Sequence, residues 1–385
     1  MTSSPTTVGV YGASGYTGKL VAAELLRRGH DVVLSGRSRP RLEAAARALD
    51  PAKSDRVSIV AAGIDDAAAL RTAFAPLDAL VNCAGPFVRF GEPVVSAAVD
   101  TATPYIDTTG EQPWMKRVVD RFDAPARDAG IAVVTAMGFD YVPGDLLAAL
   151  VGRGLEPLDE MVLAYAMSGF EATRGTMRSA LEQLGGEEVV YEEGAWRPAP
   201  RFGPLRARFT YPAPIGRQPV ARYPAGEVVT VPRHLRVRKV TTFITASTFA
   251  PAPWLAPAVP LLAPLGGLAL RSPLRSALDR AIGRLPEGPG EDERGGARFT
   301  IVCTARGEDG GEARGVLRGS DVYGITGVMA AYGATLLARG EALGNVGALA
   351  PAAAFDAEAF LAELAPHGIS VELNGAPLGG PVAAL

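Results

Sequence analysis

Three glycines near the start of the chain are spaced as in loops that bind nucleotide phosphates. Gly12, Gly15 and Gly18 form a GxxGxxG pattern between the apolar run 8–11 and a helical pattern that ends near Gly29. The first glycine permits a tight turn, the second lets the backbone approach a pyrophosphate, and the third lets the helix pack closely on the strand. The helix N-terminus adds N–H donors and a partial positive charge. The pattern therefore predicts a dinucleotide loop formed by Gly12, Ala13, Ser14, Gly15, Tyr16, Thr17 and Gly18.

The end of the second predicted strand indicates which dinucleotide binds. A chain that prefers NAD commonly carries an acidic residue here, which bonds the ribose 2′-hydroxyl. This chain instead has Gly36, Arg37 and Ser38, followed by Arg39 and Arg41. An acidic side chain would repel a 2′-phosphate, whereas a guanidinium binds it through paired hydrogen bonds. We therefore expect NADP(H), held by Gly36, Arg37, Ser38 and Arg41; a solvated basic turn is the alternative.

Strand and helix patterns alternate up to about residue 150. Strand patterns at 57–60, 79–82, 104–107 and 131–134 are separated by helical segments, which is typical of a doubly wound parallel sheet. Ligands of such sheets lie beyond the carboxyl ends of the strands. We therefore expect further cofactor contacts from Asp65, near the adenine, and from the turn formed by Cys83, Ala84, Gly85 and Pro86.

The predicted fold class is α/β: a Rossmann-type doubly wound parallel sheet with a second α+β domain built on a mixed sheet. We assign residues 1–150 to the NADP(H)-binding domain and 151–325 to a domain that binds substrate or forms an oligomer. Residues 326–385 predict a helix and a strand that pack back on the Rossmann domain. This length of chain suits two domains.

Three segments of the second domain carry local predictions. The runs 299–305 and 312–319 predict a hairpin. The run 227–231, Glu-Val-Val-Thr-Val, predicts a strand, and the charged, glycine-rich run 288–296 predicts a mobile loop.

Composition argues against several classes of function. The net charge is −3, so the chain lacks the basic footprint of a nucleic-acid binder. The two cysteines, Cys83 and Cys303, form no CxxC pattern, and the three histidines lie far apart, so we expect neither a metal site nor a disulfide framework. The start lacks a basic segment followed by an apolar one, which predicts a cytoplasmic protein without a signal peptide.

The segment 240–270 is unusually apolar and contains no charged residue. It is long enough to span a bilayer, but five prolines would interrupt a helix, so we do not expect a membrane span. Three interpretations stay open: a lid, a dimer interface, and a surface that contacts lipid, an aliphatic substrate or a protein partner. A homodimer is therefore also left open.

Together these motifs resemble the saccharopine dehydrogenase-like oxidoreductases, and within them most of all the trans-acting enoyl reductases of bacteria. The matching stretches occur in order along the chain: GASGYTGKL (12–20), LSGR (34–37), NCAGPF (82–87), YIDTTGE (105–111) and GFDYVPGDL (138–146). The resemblance implies NADPH as hydride donor and an unsaturated acceptor. For the enoyl reductases the acceptor is a C=C bond in an acyl chain carried on a polyketide synthase or carrier protein. For true saccharopine reductases it is an imine.

Candidate catalytic residues lie on loops at the carboxyl ends of the later strands. In such a reductase the protein orients the nicotinamide and supplies a proton or hydrogen bond to the developing enolate. We expect these donors to be Tyr141, Asp140 and Glu111, with Asp107 and Thr109 as further candidates. The related family commonly has serine at the position of Tyr141. Asp140 as a helix cap and Glu111 paired with a basic side chain are the structural alternatives.

Two residues of the predicted second domain, Arg174 and Tyr323, are further candidates to face the cleft. The leading hypothesis is an NADPH-dependent C=C reductase acting on a polyketide or lipid-like acyl substrate. An imine or opine-type reductase, and a non-catalytic NADPH-binding scaffold at a lipid surface, are the alternatives.

Overall fold

The chain is built on two β-sheets with helices packed on and between them. The computed structural model describes residues 6–185, 188–200, 207–223, 225–248 and 274–378. Within them, the strands of the first sheet are β1 Thr7–Tyr11, β2 Asp31–Gly36, β3 Val57–Ala61, β4 Ala79–Asn82, β5 Tyr105–Asp107, β6 Ala132–Val134 and β15 Gly347–Leu349. Its helices are α1 Tyr16–Arg27, α2 Arg39–Arg47, α3 Ala67–Phe74, α4 Phe87–Asp100, α5 Gln112–Asp128 and α6 Val142–Gly152.

The strand order of the first sheet is β3-β2-β1-β4-β5-β6-β15, and every pairing is parallel. The apolar runs of β1 and β4 are almost wholly buried because helices cover both faces of the sheet. The order reverses between β1 and β4, which opens a crevice at their carboxyl ends. This is the Rossmann arrangement, and the predicted fold class is confirmed.

The second sheet is mixed. Its strands are β7 Leu158–Ser168, β8 Val189–Glu192, β9 Ala195–Pro198, β10 Arg208–Thr210, β11 Arg217–Arg222, β12 Val240–Thr245, β13 Arg298–Gly307, β14 Glu312–Ser320, β16 Ser370–Leu373 and β17 Ala376–Pro377. β7 pairs with β12 in parallel and with β13 antiparallel. β13 and β14 form the hairpin predicted from the sequence.

The remaining helices follow β7 in the chain. They are α7 Arg174–Gly185, α8 Glu227–Thr230, α9 Leu274–Ile282, α10 Glu291–Gly295, α11 Val322–Ala338, α12 Pro351–Ala354 and α13 Ala357–Leu364. α11 packs on α1, β4 and β5, as its small apolar residues predict. Among the described residues, no helix is long and apolar enough to cross a membrane.

Three local predictions differ from the structure. The run 227–231 is helical, because its valines are buried on all sides between the domains and need no alternation. The run 288–296 contains α10 and packs against the first domain instead of forming a mobile loop. The terminal strand β16 pairs with β14 in the second sheet and not with the first domain. Periodicity identifies a strand without identifying the sheet edge that it joins.

Of the apolar segment 240–270, the structure describes the part up to residue 248. Its first residues form β12, which lies inside the second sheet between β7 and β11. The rest of the segment, to which the lid, dimer and lipid interpretations apply, lies outside the described residues.

Candidate functional site

The glycine loop connects β1 to α1 at the crevice of the first sheet. Gly12 has a φ of +79°, and its N–H donates to the Ser35 carbonyl oxygen at 2.9 Å. A Cβ on Gly18 would overlap the Gly12 carbonyl oxygen and lie 2.8 Å from the Ala13 Cα, so glycine lets α1 begin this close to β1. A Cβ on Gly15 would meet only the Gly12 oxygen, at 3.2 Å, and the space above the loop is therefore open. The N–H groups of the first turn of α1 face this space, which suits a pyrophosphate.

We expect Gly18→Ala to lower the free energy of unfolding by about 1–3 kcal/mol and to weaken NADPH binding, because the new methyl group has no room. Gly175→Ala is the matched control, since a Cβ there would meet only the Thr173 hydroxyl at 3.5 Å, also in the first turn of a helix. Urea unfolding with and without NADPH measures both effects. Equal stability of the two variants would contradict the close-packing role of Gly18.

A cluster of positive charge lies beyond the end of β2. Arg37, Arg39 and Arg41 are exposed, and none forms an ion pair with a carboxylate in the described residues. Burial raises the pKa of Tyr11 to about 12, with Arg37 opposing this shift and Asp65 adding to it. Arg37 and Asp65 therefore both lie near Tyr11, at the carboxyl end of β1. Unpaired guanidinium groups without a carboxylate at the strand end suit a 2′-phosphate.

The turn after β4 lies directly against the glycine loop. A Cβ on Gly12 would be 2.9 Å from both the Ala84 nitrogen and the Cys83 carbonyl carbon, so the structure brings the two predicted cofactor segments together. Burial raises the pKa of the Cys83 thiol to about 12. A thiol in this state is a poor nucleophile, which agrees with a structural role for Cys83.

Asp107 fixes the two loops that carry the catalytic candidates. Its Oδ1 accepts from the backbone N–H groups of Thr109 (3.2 Å) and Ala136 (3.0 Å), and its Oδ2 from the Trp114 indole (2.8 Å) and the Tyr105 hydroxyl (3.1 Å). Burial raises the pKa of Asp107 to about 6, and these donors oppose the shift. The side chain is fully buried and engaged, so Asp107 positions the loops after β5 and β6.

We expect Asp107→Asn to lower the free energy of unfolding by about 2–4 kcal/mol, because an amide has one acceptor oxygen for four buried donors. Asp66→Asn is the control: Asp66 caps α3 from an exposed position, and asparagine caps a helix as well as aspartate does. Urea unfolding at neutral pH compares the two. A similar small change in both would contradict the positioning role.

Glu111 is a positioning residue in the structure. Its Oε1 accepts from the Phe87 N–H at 2.9 Å and from the Ser179 hydroxyl at 2.6 Å, and its Oε2 accepts from the Val88 N–H at 2.8 Å. The carboxylate therefore holds the N-terminus of α4 and ties it to α7 of the second domain. This differs from the sequence expectation of a catalytic group or a partner for a basic side chain. Backbone donors that come from another element cannot be identified from the motif.

Asp140 lies on the loop after β6, with Gly110 of the loop after β5 and Tyr165 of the second domain beside it, and we call the space in front of its side chain the cleft. α6 is preceded by Tyr141 without a side-chain cap, so Asp140 does not cap this helix. Its side chain is accessible to water, yet protein surrounds it closely enough to raise its pKa to about 6. Both observations hold for a group that is open to water on one side and enclosed by protein on the others. Among the described residues, no donor forms a hydrogen bond with the Asp140 carboxylate, so this group is available to a ligand.

Tyrosine hydroxyls surround this position. The Tyr141 hydroxyl donates to the Gly110 carbonyl oxygen at 2.8 Å and lies 3.3 Å from the Tyr223 hydroxyl. The Tyr165 hydroxyl lies 3.3 Å from the Asp140 carbonyl oxygen and also bonds the carboxyl group of Glu227. We call Tyr141, Tyr165 and Tyr223 the tyrosine cluster.

Glu227 supports the tyrosine cluster from the second domain. It is fully buried, its Oε2 has no hydrogen-bond partner in the described residues, and burial raises its pKa to about 8. A protonated Glu227 satisfies the geometry, because it can donate to Tyr165 while Tyr165 donates to the Asp140 carbonyl. Sequence reasoning missed Tyr165, Tyr223 and Glu227, since no motif links them to the loop at 138–146.

The two second-domain candidates are engaged elsewhere. Arg174 donates to the Gly283 carbonyl oxygen at 3.3 Å, and the Tyr323 hydroxyl accepts from the Thr173 N–H at 2.9 Å. Arg174 therefore holds part of the second domain together, whereas Tyr323 lies on α11 and also packs against Tyr16 of the glycine loop, with ring centroids 5.3 Å apart. The described part of the chain contains no group of three or more His, Cys, Asp or Glu side chains that could share a metal ion.

Residues 8–134 match the family described as the saccharopine dehydrogenase NADP binding domain. The matched residues are those of the first sheet up to the end of β6. The resemblance expected from the sequence is therefore confirmed, and so is NADP(H) as the cofactor of this oxidoreductase-type domain. Three parts of the structure suit NADP(H): the glycine loop, the turn after β4, and the three arginines Arg37, Arg39 and Arg41, which we call the Arg37 cluster.

Comparisons over longer stretches show sequence similarity to two relatives and structural similarity to a solved enzyme. A putative trans-acting enoyl reductase of Mycobacterium tuberculosis (strain ATCC 25618 / H37Rv) is 37% identical over 195 residues, which is 48% of this chain and 46% of that protein. A lipid droplet localized protein of Caenorhabditis elegans is 29% identical over 189 residues, 46% of this chain and 44% of that protein. The chain thus matches about half the length of these relatives. The structure of apo saccharopine dehydrogenase (L-Glu forming) of Saccharomyces cerevisiae superposes on 96% of this chain, and 99% of that enzyme's chain is matched. The TM-score is 0.57 at 13% sequence identity, so the two proteins share the fold.

Proposed function

We propose that this protein is an NADPH-dependent reductase of a C=C bond conjugated to a carbonyl group in a polyketide or lipid-like acyl substrate. The observation that carries the proposal is the Asp140 carboxyl group, which faces the cleft without a hydrogen-bond partner among the described residues and has a pKa raised to about 6. Relatives named trans-acting enoyl reductase support the same reaction class. A carrier-bound acyl chain is the substrate form that we favour.

The residues of the cleft suit this chemistry. When bound, NADPH supplies a hydride, and hydride addition to a conjugated C=C bond leaves an enolate that must gain a proton. The glycine loop would hold the pyrophosphate of NADPH and Arg37 its 2′-phosphate. Asp140 then donates its proton to the α-carbon, and a hydroxyl of the tyrosine cluster, Tyr223, donates a hydrogen bond to the carbonyl oxygen. With a pKa near 6, roughly a tenth of Asp140 side chains carry a proton at pH 7, against about a thousandth for an ordinary aspartate.

The arginines beside the cleft favour a neutral acyl group over an amino-acid adduct. An opine or saccharopine-type substrate carries carboxylates that require free cationic partners. The arginines of α4 and α7 are instead engaged: Arg174 bonds the Gly283 carbonyl, Arg178 pairs with Asp279 at 3.0 Å, and Arg89 lies 3.6 Å from Glu182. Imine reduction therefore remains the second candidate.

The test is to incubate the purified protein with NADPH and α,β-unsaturated thioesters of increasing chain length, free and carrier-bound. Loss of NADPH absorbance together with the saturated product supports the proposal. Turnover with aldehyde-plus-amine pairs alone would favour imine reduction. NADPH binding without turnover of any acceptor would instead favour a non-catalytic scaffold at a lipid surface.

A further inference from the structure

A segment of the second domain lies across the first turns of α1. We call this segment, 287–290, the strap; it is the second half of the connection between α9 and α10. The Tyr16 hydroxyl donates to the carbonyl oxygen of Pro289 at 2.7 Å. The Lys19 ammonium lies 2.7 Å from the Glu287 carboxylate. Both partners on α1 belong to the glycine motif or directly follow it, although the strap lies about 270 residues away in the sequence.

The strap is packed on both sides. A Cβ on Gly288 would lie 3.0 Å from the Tyr16 ring and 2.7 Å from the Thr173 methyl group, so any side chain there would push the strap away from its neighbours. On the other side, the Arg174 N–H donates to the Glu287 carbonyl oxygen at 3.2 Å. The strap is therefore held between α1 of the first domain and α7 of the second.

We propose that the strap is part of the NADPH site and limits the rate at which the cofactor leaves. In glycine loops of this kind, the pyrophosphate binds at the first turn of the helix. The side chains of Tyr16 and Lys19 emerge from that turn, and the strap engages both of them. Opening this end of the site for release therefore requires the Tyr16–Pro289 and Lys19–Glu287 contacts to break. The proposal concerns the cofactor alone and does not depend on which acceptor is reduced.

Three variants test it through the dissociation rate of NADPH, measured by stopped-flow fluorescence after mixing with excess NADP⁺. Tyr16→Phe removes only the hydroxyl and is expected to raise the dissociation rate constant about 2- to 10-fold, as for the loss of one hydrogen bond. Glu287→Gln is expected to raise it about 2-fold, because the ion pair is partly exposed. Gly288→Ala is expected to raise it more than either, because it displaces the whole strap.

Two controls separate the strap from general effects on α1. Glu363→Gln removes one of the two ion pairs of Arg28, the one 2.9 Å long, just past the opposite end of the same helix, and should leave the rate unchanged. Adenosine 2′-monophosphate carries the 2′-phosphate that would bind the Arg37 cluster but has no pyrophosphate. Its affinity should therefore be the same in all variants. Unchanged NADPH release in both Tyr16→Phe and Glu287→Gln would overturn the proposal even if Gly288→Ala fails to fold. An equal rise in Glu363→Gln, or a matching loss of adenosine 2′-monophosphate affinity, would also overturn it.

Discussion

Asp140→Asn is expected to lower kcat for an enoyl thioester by about 10²- to 10⁴-fold, the range that one positioned proton donor contributes. Asparagine keeps the size of the side chain but cannot protonate carbon. NADPH affinity should stay within a few fold, because Asp140 lies beyond the residues that suit the dinucleotide. Single-turnover kinetics and equilibrium titration of NADPH fluorescence measure the two quantities separately.

The pH profile gives this prediction a second readout. The protonated carboxyl is the active form and its pKa is raised to about 6, so kcat should fall about tenfold per pH unit above that value. The Asp140→Asn variant should lack this dependence. Asp279→Asn, which alters a carboxylate paired with Arg178 in the second domain, is the matched control and should retain the wild-type profile. An unchanged kcat and profile in Asp140→Asn would assign proton donation to another group.

Arg37→Asp is expected to raise the Kd for NADPH by about 10- to 100-fold and to shift preference towards NADH. The substitution removes a guanidinium that forms no ion pair in the described structure and places a negative charge beside the 2′-phosphate. Arg39 and Arg41 remain, which limits the size of the effect. The carboxylate can also bond the free 2′-hydroxyl of NADH, so binding of NADH should improve.

Arg47→Asp is the control for this change, because it alters the net charge equally at the other end of α2. Titrating both cofactors against both variants gives the preference ratio. An unchanged ratio in Arg37→Asp would refute the selecting role of Arg37, and an equal shift in Arg47→Asp would show that only overall charge matters.

The cofactor half of the site could be predicted because its signals are local in the sequence. Gly12, Gly15 and Gly18 fulfil separate steric demands within one turn, and Arg37 follows directly at the end of the next strand. Alternating strands and helices then determine a parallel sheet, since a right-handed crossover leaves few other arrangements. None of these inferences needs a contact between distant parts of the chain.

The acceptor half depends on contacts that no local pattern encodes. Glu111 could be seen as a carboxylate on a loop, but its partners are the first N–H groups of α4 and a serine of α7. Whether Asp140 caps a helix or lines a cleft depends on the backbone at Tyr141. Glu227 belongs to a run whose β-branched residues favour a strand, yet burial between the domains makes it helical.

The last strand of the first sheet, β15, has a consequence for how the protein is made. It pairs with β6 and enters the sheet only after strands β7 to β14 of the second sheet have been synthesised. α11, which covers α1 and β4, is also late. During synthesis on the ribosome, the edge of β6 therefore stays unpaired until residue 349 has emerged. The apolar face that α11 covers also stays exposed until α11 has been made. An excised fragment that ends near residue 150 should accordingly aggregate, whereas the full chain buries both surfaces.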